Sequence, residues 1–210
     1  MLNPFYRWLH APVNETLNKP IEKVAEEKIN WSRVVMVEAT QTLVKALPYS
    51  EFRALEISGT HWEDFGFMSY ESANFPMFDV CKGSLPRTFN IILADQVLEH
   101  VLWPYRAGKN IYEMLEPGGY FLVTTPFLVK IHNDPTDCTR WTEVGLKYFL
   151  AECGFPLDGT KTGSWGNREC VIENFSRWIP YRPGVHSLKN DTDFPYHVWA
   201  LARKPLSESS

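Results

Sequence analysis

Two stretches of this chain gather groups able to move a proton. Residues 132–141 read His132-Asn133-Asp134-Pro135-Thr136-Asp137-Cys138-Thr139-Arg140-Trp141. Histidine has the ordinary pKa nearest neutral pH, so His132 is suited to accept a proton from an attacking hydroxyl. Arg140 carries a planar fork of donors that suits a carboxylate or phosphate. With Asp134 and Trp141 it makes a candidate wall for an acceptor molecule. A structural reading of the same residues stands beside this one: Asp137 pairs with Arg140, Thr142 caps a helix and Trp141 packs. The second stretch closes the apolar run FNIILAD with Asp95-Gln96 and continues through Glu99 and His100. Asp95 can serve a ligand or cap the turn that follows it. His100 can face an acceptor or hydrogen-bond a neighbouring loop.

A third group surrounds a glycine turn. The short apolar segment RALEI at residues 53–57 runs into Ser58-Gly59-Thr60, and Gly59 would let backbone approach a ligand with no Cβ in the way. In nucleotide-binding α/β folds an acidic residue about 20 positions beyond such a turn takes the ribose hydroxyls. Asp79 lies close to that spacing, and Asn74, whose amide both donates and accepts, is the fallback. A divalent cation on His132, Asp134 and Asp137 would prefer more oxygen ligands than these supply, so no metal is expected.

The elements that must position these groups follow from periodicity and punctuation. Strands are expected at residues 53–57, 76–81, 89–94, 120–124 and 197–202, with Asp79 near the end of the second. A helix opens at Trp103-Pro104, where proline loses nothing because that N–H has no intrahelical partner. Ala107, Ile111, Met114 and Leu115 form its buried stripe, and Gly118-Gly119 are expected to stop it. Thr142 caps a helix from residue 143 to about 153, with Leu146, Phe149 and Leu150 inward and Gly154 at its end. Helices are also expected at residues 21–30 and 34–47, the latter ended by Pro48. Residues 62–74 show no clean period and read as a short helix or irregular loop. Ser164-Trp165-Gly166-Asn167-Arg168 reads as a polar turn within an irregular last third. The expected organisation is a helical N-terminal cover at 1–50, one globular unit at 51–205 and a disordered tail at 206–210.

Together, LEISG, FNIILADQVLEHV, MLEPGGYFLVTTPF and AECGF resemble a class I S-adenosylmethionine-dependent methyltransferase over residues 50–155. The continuation H-x-D-P-x-D-x-x-R-W-T resembles bacterial members associated with saccharides or cell-surface polymers. The resemblance implies an α/β Rossmann-like sandwich: a mostly parallel sheet, helices on both faces and an antiparallel last strand. It implies S-adenosylmethionine as cofactor and transfer of its methyl group to a hydroxyl of a small or saccharide-like acceptor. Glu56, Ser58, Gly59, Thr60, Asn74, Asp79, Asp95 and Gln96 would then hold the cofactor, with Glu56 beside its ammonium group. His132 or His100 would take the proton, and Asp134, Arg140 and Trp141 would bind the acceptor. The chain departs from the usual E-x-G-x-G-x-G, reading Glu56-Ile57-Ser58-Gly59-Thr60-His61-Trp62. Two other readings stay open: methylation of nitrogen or of a phenolic or lipid-like hydroxyl, and a binding domain that has kept the fold without the cofactor.

Bulk properties narrow the classes. At 210 residues, 44% hydrophobic and 22% charged, the chain can bury a core without metal or disulfide staples. A net charge of −4 gives no basic patch for nucleic acid. No segment reaches the roughly 18 apolar residues of a membrane span. The N-terminus lacks the basic start and apolar run of a signal peptide. The four cysteines are widely spaced with no Cys-x-x-Cys pair, which fits free thiols in a reducing cytoplasm and no zinc site. Eight tryptophans point to half-buried packing or to stacking on a planar or sugar ligand. Oligomeric state leaves no trace in the sequence.

Overall fold

Six strands form one sheet in a computed structural model that describes residues 29–133 and 135–206. They are β1 (Arg53–Ile57), β2 (Ser69–Ala73), β3 (Phe89–Asp95), β4 (Leu115–Pro126), β5 (Thr160–Trp165) and β6 (His197–Arg203). The order across the sheet is β2-β1-β3-β4-β6-β5. The first four strands are mutually parallel, and β6 runs antiparallel to both β4 and β5. The helices are α1 (Val34–Lys45), α2 (Pro104–Met114), α3 (Glu143–Glu152) and α4 (Arg168–Asn174). The expected α/β architecture is therefore present.

Both faces of the central strands are apolar, so both must be covered. Successive side chains of a strand point to opposite faces. On one face Leu55, Ile57, Ile92, Ala94, Phe121, Val123, Val198 and Ala200 pack with Ala107, Ile111 and Met114 of α2 and Leu146, Phe149 and Leu150 of α3. On the other, Ala54, Ile91, Leu93, Leu122 and Leu201 pack with Val44 of α1. A third cluster joins Trp31 and Met36 to Trp165, Cys170, Val171, Tyr196 and Trp199, fixing α1 and α4 beside the β5–β6 side of the sheet. The four cysteines are free, and burial pushes the Cys153 and Cys170 thiols up to about 12. Among the described residues no helix is long and apolar enough to cross a membrane.

Several expected elements lie elsewhere. The second strand is not at residues 76–81, which form turns, but at Ser69–Ala73, within the segment that showed no period. Its sequence, SYESA, sits at the sheet edge and is never fully buried, so it carries no apolar run. α2 ends at Met114, before Gly118-Gly119; Leu115 is already extended at φ −86° and ψ 139°. The two glycines lie inside β4, where a Cβ on Gly119 would come within 2.9 Å of the Glu116 carbonyl oxygen and 3.2 Å of that of Asn90. They serve a bulge, seen as a register shift between Phe89 and Ile91, rather than a helix end. The irregular last third holds β5 and α4; Ser164 and Trp165 finish β5, and Asn167 caps α4 by accepting from the Cys170 N–H. The helix expected at residues 21–30 falls almost wholly, and the tail at 206–210 mostly, outside the described residues, as does Asp134.

From β1 the chain proceeds to β2 on one side, and from β3 through α2 to β4 on the other. The carboxyl ends of β1 and β3 therefore flank the point where the winding reverses, the usual ligand crevice of open α/β sheets.

Candidate functional site

At that crevice β1 carries a fully buried carboxylate, one residue before the strand ends at Ile57. Glu56 accepts hydrogen bonds from the backbone N–H of His61 (3.1 Å) and Trp62 (3.0 Å) and from the Tyr70 hydroxyl (2.7 Å). Burial acts to raise its pKa, but the His61 side chain, Tyr70 and these two N–H groups outweigh it and hold the carboxyl below the usual range. The glycine turn closes tightly over this group: a Cβ on Gly59 would meet Glu56 Oε1 at 2.4 Å. Ser58 adopts φ +54°, a left-handed conformation that costs a non-glycine residue energy and recurs at functional turns. Thr60 lies exposed in the same turn.

Gln96, just past the end of β3, adopts φ +57°, so both strands that flank the crevice end in left-handed backbone. Its N–H and its side-chain amide both donate to Thr124 Oγ1, at 3.1 and 3.0 Å. Asp95 accepts from Thr124 Oγ1 and pairs with Arg33 at 2.8 Å. His61 Nδ1 stands 3.6 Å from Glu56 Oε1 and 3.8 Å from Asp95 Oδ2, and its pKa is raised, chiefly by Glu56. Two carboxylates, a guanidinium and an imidazole thus meet at one strand edge. Arg33 and His61 were not among the residues singled out by sequence, because each acts through a contact set by the fold.

The end of β2 belongs to Asn74, not Asp79. Asn74 Nδ2 donates to Ser72 Oγ at 3.0 Å, and Ser72 Oγ in turn donates to the Gly59 carbonyl, linking β2 to the glycine turn. Asp79 lies in a later turn, where Oδ1 accepts from the Cys81 N–H at 3.0 Å and Oδ2 pairs with exposed Lys82 at 3.4 Å. Of the two ribose candidates, Asn74 is the one linked by hydrogen bonds to the glycine turn.

The second group assembles from two segments distant in sequence. The turn Leu98–His100 runs against residues 136–139: Cys138 N–H donates to the Glu99 carbonyl (2.7 Å), Thr136 Oγ1 to that of His100 (2.7 Å) and Thr139 Oγ1 to that of Leu98 (3.2 Å). His100 Nδ1 also contacts the Thr136 carbonyl oxygen. The imidazoles of His100 and His132 then meet edge to face, with ring centroids 5.0 Å apart. Asp137 accepts from the His132 N–H at 2.9 Å and forms a two-point pair with Arg140, which holds its carboxyl well below the usual range, at about 2. Burial, with His100 beside it, lowers the His132 pKa, favouring the neutral ring a base requires.

Glu99 is the group sequence reasoning passed over. It is fully buried, neither carboxyl oxygen has a hydrogen-bond partner, and burial pushes its pKa up to about 8. The available signal was an acid inside the otherwise apolar turn Val97-Leu98-Glu99.

Arg140 borders a cavity of about 270 Å³ lined by Phe127, Val129, Ile131, Asp137, Cys138 and Thr139. Trp141, expected in the acceptor wall, is instead packed below it against Phe149 with ring centroids 5.2 Å apart. Trp178, by contrast, is half-exposed beside His132, at 6.0 Å between ring centroids. A larger hollow of about 500 Å³ lies between residues 167–169 and 187–192 and borders none of these groups.

No protein-family model matches the chain, and no curated protein matches it. Solved structures do. A Thermotoga maritima S-adenosylmethionine-dependent methyltransferase, described as a possible histamine N-methyltransferase, aligns with 16% identity and a TM-score of 0.52, over 80% of this chain and 88% of its own. A Mesorhizobium loti S-adenosylmethionine-dependent methyltransferase aligns with 17% identity and a TM-score of 0.51, over 82% and 98%. One from Archaeoglobus fulgidus aligns with 14% identity and a TM-score of 0.51, over 80% and 94%. The fold is that of the class I methyltransferases.

Proposed function

We propose that this chain binds S-adenosylmethionine in the crevice between β1 and β3 and transfers its methyl group to a hydroxyl of a small or saccharide-like acceptor in the cytoplasm. One observation carries the reading: the glycine cradle over buried Glu56 and the Asp95 carboxylate meet where the winding of a methyltransferase-type sheet reverses.

The residues present fit the amino-acid end of that cofactor. Gly59, lacking a Cβ, lets the turn close directly on Glu56 Oε1, and Ser58 and Thr60 complete the turn that would bring backbone to the ligand. Asp95 offers a carboxylate for an ammonium group, and Gln96 supports it through their shared partner Thr124. Arg33 offers a guanidinium for a carboxylate. His61 is more than half exposed and free to turn outward as a ligand enters. Asn74, linked through Ser72 to the same turn, is the residue assigned to the ribose, with Asp79 in the turns that follow β2 as the second candidate.

The bound cofactor supplies an electrophilic methyl on sulfur. The chain's own part is to hold an acceptor oxygen in line and to receive its proton. Positioning contributes the larger factor. His132 or His100 takes the proton, and the lowered pKa of His132 keeps its ring neutral. Arg140 stands at the acceptor cavity, and exposed Trp178 offers a stacking face for a sugar ring. Asp134 belongs to the same acceptor segment by sequence.

The test is release of S-adenosylhomocysteine when the protein meets S-adenosylmethionine and panels of sugars, phenols and amines. Turnover confined to sugar or small alcohol acceptors supports the reading. Turnover only with amines or phenols replaces the acceptor class. Cofactor binding without turnover on any panel favours the binding-domain reading, for which the bulky Thr60-His61-Trp62 in place of glycines is the specific observation.

A further inference from the structure

We propose that Glu99, His100 and His132 form a binding site for a divalent transition-metal ion. One candidate ligand atom from each of the three lies within 4.8 Å of the others. Their sequence positions do not suggest it; the pairing of residues 136–139 with the Leu98–His100 turn creates it.

The carboxylate gives the strongest reason. Glu99 is 0% exposed and neither oxygen accepts a hydrogen bond. A buried carboxyl group without partners is costly, and native structures retain one where another group completes it. His100 Nε2 stands 3.7 Å from Glu99 Oε1, so the empty side of the carboxyl faces the imidazoles.

The imidazoles are prepared in the same sense. A carbonyl oxygen can only accept, so contact with Thr136 O places the His100 proton on Nδ1 and leaves an Nε2 lone pair toward Glu99. A backbone carbonyl holding the far nitrogen is the usual outer-shell support of a metal-bound histidine. His132 is held in turn by Asp137, which accepts from its N–H and is itself anchored by Arg140. Its ring Nδ1 is buried and makes no hydrogen bond, although Asp137 Oδ2 lies 3.4 Å away.

Two imidazole nitrogens and one carboxylate oxygen select a zinc-like or other d-block ion over magnesium or calcium. With metal–ligand bonds of about 2 Å, tetrahedral ligand atoms lie roughly 3.3 Å apart. Rotations of the three side chains that close separations of up to 4.8 Å by as much as roughly 1.5 Å would complete it. A fourth position would stay open toward water or an acceptor hydroxyl. This inference goes beyond the methyl-transfer reading; an ion held here would occupy the lone pairs assigned above to proton transfer and would itself acidify a bound hydroxyl.

The experiment titrates chelator-treated, cofactor-free full-length protein with cobalt chloride, read by visible absorption, and with zinc chloride, read by calorimetry. The expected result is one ion per chain, with affinity falling about 100-fold or more in both Glu99→Gln and His132→Ala. His132 is partly exposed, so its truncation tests the site even if Glu99→Gln perturbs folding. No binding by the wild-type protein, or wild-type affinity retained in both variants, overturns the proposal. S-adenosylmethionine titrated into the same metal-free sample keeps this outcome separate from the cofactor's.

Discussion

Arg33 Nη2 lies 2.8 Å from Asp95 Oδ2, tying the turn that begins the N-terminal helical segment to the tip of β3. The contact spans 62 residues of sequence. It places a guanidinium and a carboxylate side by side where an amino-acid zwitterion would need both. Thr124 and His61 complete the surroundings of the carboxylate.

Asp95→Asn removes the charge while keeping the shape. S-adenosylmethionine affinity is expected to fall about tenfold, the scale of one charge-assisted hydrogen bond. Stability is expected to change by only about 1 kcal/mol, because Arg33 is partly exposed and can be solvated. Calorimetry and urea unfolding measure the two quantities; an unchanged affinity removes Asp95 from the cofactor site.

Gly59→Ala places a methyl 2.4 Å from Glu56 Oε1. The carboxylate must move, leaving the His61 and Trp62 N–H groups and the Tyr70 hydroxyl without it. A loss of about 2–4 kcal/mol in urea unfolding is expected, together with loss of cofactor binding. A variant as stable as wild type contradicts the packing described for the turn.

His197 gives a pH signature. It is buried beside Ser32, and burial, followed by the nearby Arg33 charge, depresses its pKa to about 3 from the usual 6.5. Below pH 6.5 the unfolded chain binds a proton that the folded chain refuses, so this contribution to stability is present above 6.5. It is lost as pH falls toward 3, by up to about 1.4 kcal/mol per pH unit. Urea midpoints across that window should fall more steeply for wild type than for His197→Gln; parallel curves exclude the assignment.

His132→Ala and His100→Ala test proton transfer. At least one is expected to lower turnover about 100-fold on the best acceptor, while S-adenosylmethionine affinity stays within about threefold of wild type in both. If both keep wild-type turnover with cofactor bound, neither imidazole is the base.

The central strands and the two helices between them were legible because their signals are local. FNIILAD and YFLVTT are continuous apolar runs, Pro104 opens α2 and Thr142 caps α3. The strands that escaped notice, SYESA and TKTGSW, are the two edges of the sheet. An edge strand has one neighbour and a partly wet surface, so nothing forces an apolar pattern on it. The same division holds at the site. Glu56, Gly59 and Asp95 stand at strand ends that periodicity locates. Arg33, His61 and the vacant hydrogen-bonding capacity of Glu99 depend on which distant segments meet. Asp79 satisfied a spacing from Gly59, but the strand expected to carry it ends earlier, at Ala73.

Isothermal calorimetry of the wild-type protein with S-adenosylmethionine and S-adenosylhomocysteine tests the crevice most directly. Saturable one-to-one binding of both, weakened by Asp95→Asn and abolished by Gly59→Ala, is the expected result. No heat with either ligand at saturating concentration, from protein shown to be folded, contradicts the assignment of this edge as a cofactor site.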